Sequence, residues 1–176
     1  MKKTSTKGLL ILSFGLFPVE SNYADVVHRY KILAASGDSA SVLGPNVGIS
    51  RIFSQPRISA NGHVVFRSRL DNNGDLDRAI WSGKPGAFEL TALHAAPAPG
   101  RPGETLNLDK SITADSMSIC PDGTVAFIAE VMPSGDDGVW MGRAGNLSKI
   151  LAVNDGVPFA QDAQVKAFKS IPFVAN

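Results

Sequence analysis

Acidic side chains recur at alternate positions of one short segment, Asp71 to Asp77. Carboxylate and amide oxygens spaced in this way are the ligands that calcium takes in protein loops. The candidate ligands are Asp71, Asn73, Asp75 and Asp77. An EF-hand needs Gly at its sixth position and Glu at its twelfth, where this chain has Leu76 and Ser82. A solvated hairpin loop is therefore the competing interpretation, and calcium is the one cofactor that the residues suggest.

A second motif, Gly37-Asp38-Ser39, follows a short apolar run and resembles the nucleophile segment of GDS-type esterases. The resemblance implies a serine nucleophile with a base to activate it. The segment Asp25-Val26-Val27-His28 has the form of the partner motif, but it precedes the serine, whereas in those enzymes it follows. The alternation of strands and helices that such a fold requires is missing from the pattern. We therefore interpret the motif as a loop at a strand end and predict no catalytic residue.

The histidines and tryptophans do not indicate a metal site or a sugar-binding site more strongly than the motifs above. His28, His63 and His94 share no ligand spacing, so surface positions are expected for them rather than a zinc site. Trp81 and Trp140 could stack on sugars. Each stands at the same place in a glycine-bounded strand, however, and that recurrence favours packing in a core.

An internal repeat sets the positions of these residues. Residues 58–66 match residues 119–127 at an offset of 61, and residues 79–88 match residues 138–147 at an offset of 59. Two partial copies extend the pattern: residues 31–34 match 149–152, and residues 173–176 match 58–61. The copy at 149–152 is not followed by a serine, which weakens the esterase interpretation further. About two and a half repeats are present, and the pattern predicts a fragment of a longer array.

Each copy has the pattern of β-structure. Val64, Phe66, Ser68 and Leu70 share one face of a predicted strand, and Asn61-Gly62 is typical of a type I′ hairpin. We predict strands at 56–60, 63–70, 79–83 and 88–95, repeated at 117–120, 124–131, 138–142 and 147–153. A lone strand, 27–35, precedes them, and a long Pro- and Gly-rich connection spans 97–115. The expected fold is all-β, with antiparallel four-stranded repeats of about 60 residues forming incomplete propeller-like blades; a β-sandwich or an open β-solenoid is the alternative.

The N-terminus has the pattern of an export signal. Lys2, Lys3 and Lys7 precede the apolar run Gly8 to Phe17, which is too short to span a bilayer as a helix. We predict a signal peptide over residues 1–21, or to Ala24, followed by a β-repeat region over 27–176. A buried N-terminal strand or helix is the competing interpretation. The expected location is secreted, periplasmic or at the cell surface.

Composition excludes several classes of protein. With 44% hydrophobic residues and a net charge of +1, the chain is neither disordered nor a nucleic-acid binder driven by charge. The predicted leader removes three Lys and one Glu, so the +1 charge becomes −1 in the mature chain. One Cys excludes an internal disulfide framework and a Cys-rich zinc site.

A family resemblance rests on two segments of the repeat, Ser59 to Phe66 and Cys120 to Phe127. They resemble the NxxGxxAF tandem repeats of bacterial exported proteins, although Ser59 and Cys120 replace the first Asn and Val65 replaces Ala. The resemblance implies secretion and a β-repeat fold, and it carries no established activity. We expect a non-catalytic binding or surface module, monomeric or part of a larger chain, whose partner is a protein or a cell-surface carbohydrate. A secreted hydrolase or lyase using a propeller channel is the alternative, and no membrane span is expected in this chain.

Overall fold

The computed structural model describes residues 9–12, 31–72, 75–109, 116–157, 159–160 and 162–168. The strands within these residues are β1 (Leu9–Leu12), β2 (Lys31–Ala35), β3 (Val47–Ile58), β4 (Val64–Asn72), β5 (Asp75–Lys84), β6 (Ala87–Leu93), β7 (Thr105–Asn107), β8 (Met117–Ile119), β9 (Val125–Met132), β10 (Asp137–Arg143) and β11 (Asn146–Ala152). The described part has no α-helix, and a 3-10 turn lies at Ser41–Leu43. The predicted all-β class is confirmed.

Two antiparallel sheets form the body of the molecule. The first has the order β3-β4-β5-β6, and we call these strands the first unit. The second has the order β11-β10-β9, with β7 and β8 both paired to the remaining edge of β9, and we call β7 to β11 the second unit. The two short strands β7 and β8 together take the place that the single strand β3 has in the first unit.

The two units also share their register. Phe66 lies opposite Trp81 on the first sheet, and Phe127 lies opposite Trp140 on the second. A β-bulge precedes each tryptophan at the pairing with the last strand, between Ile80 and Trp81 and between Val139 and Trp140. Because a slip of one residue would turn each aromatic to the other face, this agreement explains the fixed spacing of the repeat in the sequence.

The turn between β3 and β4 corrects one prediction. A type I′ turn needs positive φ at both central residues, but among the described residues around this turn only Gly62 has it, with φ at 75°. The Gly62 amide donates to the Ser59 carbonyl, and the Ser59 amide donates to the His63 carbonyl. Gly123 ends the matching turn of the second unit with φ at 90° and the same pair of bonds. The longer turn needs only one left-handed residue, so Asn61 keeps an ordinary conformation.

The observed strand bounds differ most from the predicted ones where a strand pairs with a segment distant in the sequence. β3 begins at Val47, well before the predicted 56, and β7 lies inside the segment predicted to be a loop. Leu106 of β7 pairs with Val131, and Val47 pairs with Asn72. These partners are distant in sequence, so no local pattern announces the pairing.

Three connections share one hydrogen-bonded geometry, which we call the arch: residues 35–49, 93–106 and 152–165. The amides that close them are donated by Gly37 to Ile49 at 2.7 Å, by Ala95 to Leu106 at 2.8 Å and by Asn154 to Val165 at 2.8 Å. All three donor residues have positive φ, at 96°, 61° and 69°. Each arch follows the last strand of a unit, so β2, which precedes the first arch, corresponds to β6 and β11, as the sequence predicts for the lone strand.

The hydrophobic core lies on both faces of the first sheet. On one face, Val65 and Ile80 pack against Phe127 and Trp140 of the second sheet, so the two sheets stack face to face. On the other, Phe66 and Trp81 pack with Ala34 and Ala40 from the first arch and the strand before it. The predicted core positions of both Phe–Trp pairs are confirmed, because all four side chains are at most 5% exposed.

Near the N-terminus, β1 pairs antiparallel with β2, with Leu9 opposite Ala35. This strand lies within the predicted leader, whose remaining residues are outside the described ranges. The signal peptide stays a prediction. Among the residues that the structure describes, no helix is long and apolar enough to cross a membrane.

Candidate functional site

A cleft of about 290 Å³ opens where the turns of the two units meet, and we call it the inter-unit cleft. It is lined by His63, Ser82, Gly83, Lys84, Ala87 and Glu89 of the first unit and by Asp122, Gly123, Arg143 and Ala144 of the second. Its volume is at the lower end of the range found for small-molecule sites. Both units are needed to form it.

His63 forms one wall of the cleft and packs against the turn of the other unit. Its Cδ2 and Nε2 atoms lie 3.1 and 3.2 Å from the point where a Cβ on Gly123 would stand. Its backbone is held by Ser59, whose Oγ accepts the His63 amide at 3.1 Å. The His63 Nδ1 atom is buried and has no hydrogen-bond partner. The imidazole is thus positioned by packing and keeps an unused polar atom.

The Ser82 hydroxyl of the first sheet forms the polar floor of the cleft, and it bonds to the Thr91 hydroxyl, which is not itself part of the lining. Ser82 and Thr91 are 6% and 5% exposed, and their oxygens are 2.7 Å apart. Glu89 lies directly across the strand pair from Ser82 and is exposed. The corresponding positions of the second unit are Met141, Ile150 and Ser148, so this polar floor belongs to the first unit.

The opposite wall carries an ion pair. Asp122 and Arg143 meet at 2.9 Å with both side chains more than half exposed. The Thr124 backbone amide, then Arg143 and the Thr124 hydroxyl, lower the pKa of Asp122 to about 2. Asp122 is therefore a fixed anion at physiological pH, and its geometry is set by its own turn.

The charges around the cleft are balanced. Lys84 and Arg143 bring two cations, and Glu89 and Asp122 bring two carboxylates. The Ser82 hydroxyl can both donate and accept. Such a lining suits a polar ligand that offers donors and acceptors together, rather than a strongly charged one.

No metal centre stands out in the described ranges, where no three carboxylate, imidazole or thiol groups come together in a suitable cluster. Of the predicted calcium ligands, Asn73 lies outside the described residues, and the Asp75 side chain is likewise not described. Asp71 pairs with Leu76, while Asp77 pairs with Leu70. Because neighbouring residues of a strand point to opposite faces, the Asp71 and Asp77 carboxylates start on opposite faces of the hairpin.

The other sequence candidates lie apart from the cleft. Ser39 is an exposed residue of the first arch that bridges to Gly48, and Gly156 takes its place in the third arch. His94 accepts the Leu108 amide at 3.3 Å near the other end of the sheet, and His28 lies outside the described residues. The tryptophans are buried. The Trp81 indole donates to Ser68 at 2.8 Å, and the Trp140 indole donates to the Pro99 carbonyl at 3.1 Å.

Two further polar clusters fasten the units together away from the cleft. Arg78 binds the Asp109 carboxylate at 2.8 Å, and Arg67 donates to the Leu108 carbonyl at 3.3 Å, which fixes the chain leaving β7. Burial and the neighbouring charge of Arg78 lower the pKa of Arg67. Arg101 of the second arch binds both Glu104 and Asp136. The Arg78 and Arg67 contacts join the first unit to the chain after β7, and the Arg101 contacts join the second arch to the second unit.

A family model described as a family of unknown function (DUF7453) matches residues 17–176. The chain belongs to this family. No curated protein and no solved structure matches it. The DUF7453 match spans both units and all three arches, so the whole inter-unit cleft lies within the family region.

The sequence alone does not reveal the inter-unit cleft. Its one available signal was the set of polar residues that break the repeat at matching positions, such as His63 against Thr124 and Ser82 against Met141. Such differences show that the two units are not interchangeable, but they do not reveal that the differing residues of one unit face the turns of the other.

Proposed function

We propose that this chain is the binding module of an exported β-repeat protein and that its ligand occupies the inter-unit cleft. The observation that carries the proposal is the cleft itself: two units contribute to it, and three of its polar residues, His63, Ser82 and Glu89, are replaced by Thr124, Met141 and Ser148 in the second unit. Stacked repeats supply a rigid frame, and the turns at one end of them supply recognition groups.

The ligand class follows from the lining. A hydroxyl-rich ligand, such as the end of a cell-surface carbohydrate, can donate to Glu89 and accept from Lys84 or Arg143 without leaving a charge unpaired. Recognition then depends on hydrogen bonds rather than stacking, since both tryptophans are committed to the core.

Export and the propeller form part of the same proposal. The basic leader with its ten-residue apolar run and the likeness to NxxGxxAF proteins support secretion. Antiparallel units of four and five strands stacked face to face support propeller-like blades, with a β-sandwich as the alternative. N-terminal sequencing of material from the periplasm or culture medium should begin at Asn22 or Asp25. Recovery of intact Met1 from the cytoplasm alone would contradict export.

Binding is tested with the purified chain on an array of bacterial surface glycans, followed by calorimetry with the best oligosaccharide. Glu89→Gln and Arg143→Ala should each weaken binding by about tenfold, the usual effect of one charge-assisted hydrogen bond. The control is Lys166→Ala, which changes an exposed residue outside the cleft. Equal binding by all variants would place the ligand elsewhere, and turnover of a bound glycan would favour the hydrolase or lyase alternative.

A further inference from the structure

The strand β2 has the place of a last strand in the repeat, and among the described residues its strand partner is β1. It leads into the first arch just as β6 and β11 lead into the second and third. In both complete units the last strand pairs with the third strand, β5 or β10. The last strand of a unit therefore pairs along one of its edges with the third strand of that unit.

In the described chain, β1 takes that edge in the register of a third strand. Leu9 pairs with Ala35 and Ile11 with Ile32, with an irregularity between them. The equivalent pairs are Ala79 with Leu93 and Trp81 with Leu90 in the first unit, and Gly138 with Ala152 and Trp140 with Lys149 in the second. The same irregularity separates the two pairs in all three places.

The residue types agree as well. Leu10 and Ile11 of β1 correspond to Ile80-Trp81 and Val139-Trp140. The first residue is aliphatic in all three pairs. The second is Trp in the two complete units and Ile in β1. In the complete units a tight turn joins the third and last strands. Between β1 and β2 lie residues 13–30, so no tight turn imposes the register there. The alignment of β1 is therefore set by its pairing with β2 rather than by a turn.

We propose that the edge of β2 is a strand-acceptor surface whose partner is a third strand of another unit of this repeat, and that β1 fills it while the leader is attached. The proposal rests on the proposed export, which removes β1. Ala34 is 4% exposed and anchors β2 on the core of the first unit, so the edge stays in place when β1 leaves. Its unpaired backbone groups then accept an incoming strand.

Backbone hydrogen exchange on the full chain, made without export, tests the proposal. Ile11→Pro places a proline at a residue of β1 that pairs directly with Ile32, and we expect exchange at β2 to rise by about tenfold or more, whereas the control Ile11→Val leaves it unchanged. Adding a peptide with the sequence of Asp137–Arg143 should restore protection in the proline variant, but not when alternate peptide nitrogens are methylated. Fluorescence of Trp81 and Trp140 checks that the core stays folded.

Two results would overturn the acceptor surface: protection of β2 that survives Ile11→Pro, or a peptide that fails to restore it. Restoration by the methylated peptide would equally contradict strand pairing. The outcome is separate from that of N-terminal sequencing. If the leader is never cleaved but the peptide restores protection, export fails and the acceptor surface stands.

Discussion

Phe127 and Trp140 lie opposite each other on adjacent strands, with ring centroids 6.2 Å apart and planes inclined by 24°. Phe66 lies opposite Trp81 in the same register, but its ring meets Phe88 edge-on at 5.1 Å. The two units therefore place a Phe opposite a Trp at the same register, but the aromatic rings contact each other differently in the two units. The Phe127–Trp140 pair packs between the two sheets, and the Phe66–Trp81 pair packs beneath the first arch.

Truncating the inter-sheet aromatic should be costly. Phe127 is fully buried, so Phe127→Ala removes transfer free energy and leaves a cavity, with an expected loss of roughly 3–5 kcal/mol in the free energy of unfolding. Chemical denaturation measures the loss. Phe159→Ala is the matched control, because Phe159 is 98% exposed. Equal stability of both variants would remove the argument that the sheets share one core.

Two features of the structure disfavour any other residue at Gly123: its positive φ and its contact with His63. Gly62 shares only the first feature, so comparing the two glycines separates the two effects. The φ of 90° at Gly123 strains any other residue, and a Cβ there would lie 3.1 Å from His63. Gly62 holds the same place in the first unit with φ at 75°, and a Cβ there would meet no atom within 4 Å. Gly62→Ala should cost about 1–2 kcal/mol in stability. Gly123→Ala should cost more stability than Gly62→Ala, and it should also shift the NMR resonances of the His63 imidazole. Equal losses of stability would mean that the His63 side chain moves aside without cost.

The stability of the folded chain should fall between pH 4 and pH 2 partly through Asp122. Its pKa is lowered from 3.8 to about 2, so the folded state binds this proton less readily than the unfolded chain. The stabilisation is fully present above the unfolded pKa and is lost as the pH falls through the folded value. Asp122→Asn should flatten this part of the pH profile, measured by denaturation at each pH.

A second measurement separates the causes of the Asp122 shift. Because the Thr124 amide contributes most, Arg143→Ala should raise the pKa of Asp122 only part of the way to 3.8 in an NMR titration. A full return to 3.8 would assign the shift to the ion pair.

Ser39 should be dispensable. It is an exposed residue of the first arch, and Gly156 replaces it in the third. Ser39→Ala should change stability by less than about 0.5 kcal/mol and should leave any ester hydrolysis unchanged. Its neighbour provides the contrast: Asp38 Oδ2 accepts the Ala35 amide at 2.7 Å, so Asp38→Ala should cost about 0.5–1.5 kcal/mol. Loss of hydrolysis on Ser39→Ala in a folded protein would reinstate the esterase interpretation.

The sequence by itself determined the class, the units and their core. Alternation along Val64 to Leu70, glycines at 62 and 123, and one Phe–Trp pair per unit are local signals, because strand period and turn conformation depend on near neighbours. It also identified β2 as the last strand of a repeat, since a partial copy keeps its spacing.

Only the tertiary structure decided what lies between the units. The pairing of β7 with β9, the arches and the approach of His63 to Gly123 join residues that are distant along the chain. His63 interrupts the repeat in the sequence, but the residue it packs against, Gly123, comes from the other unit. This contact depends on how two sheets stack, and stacking is set by the summed packing of both faces rather than by any local pattern.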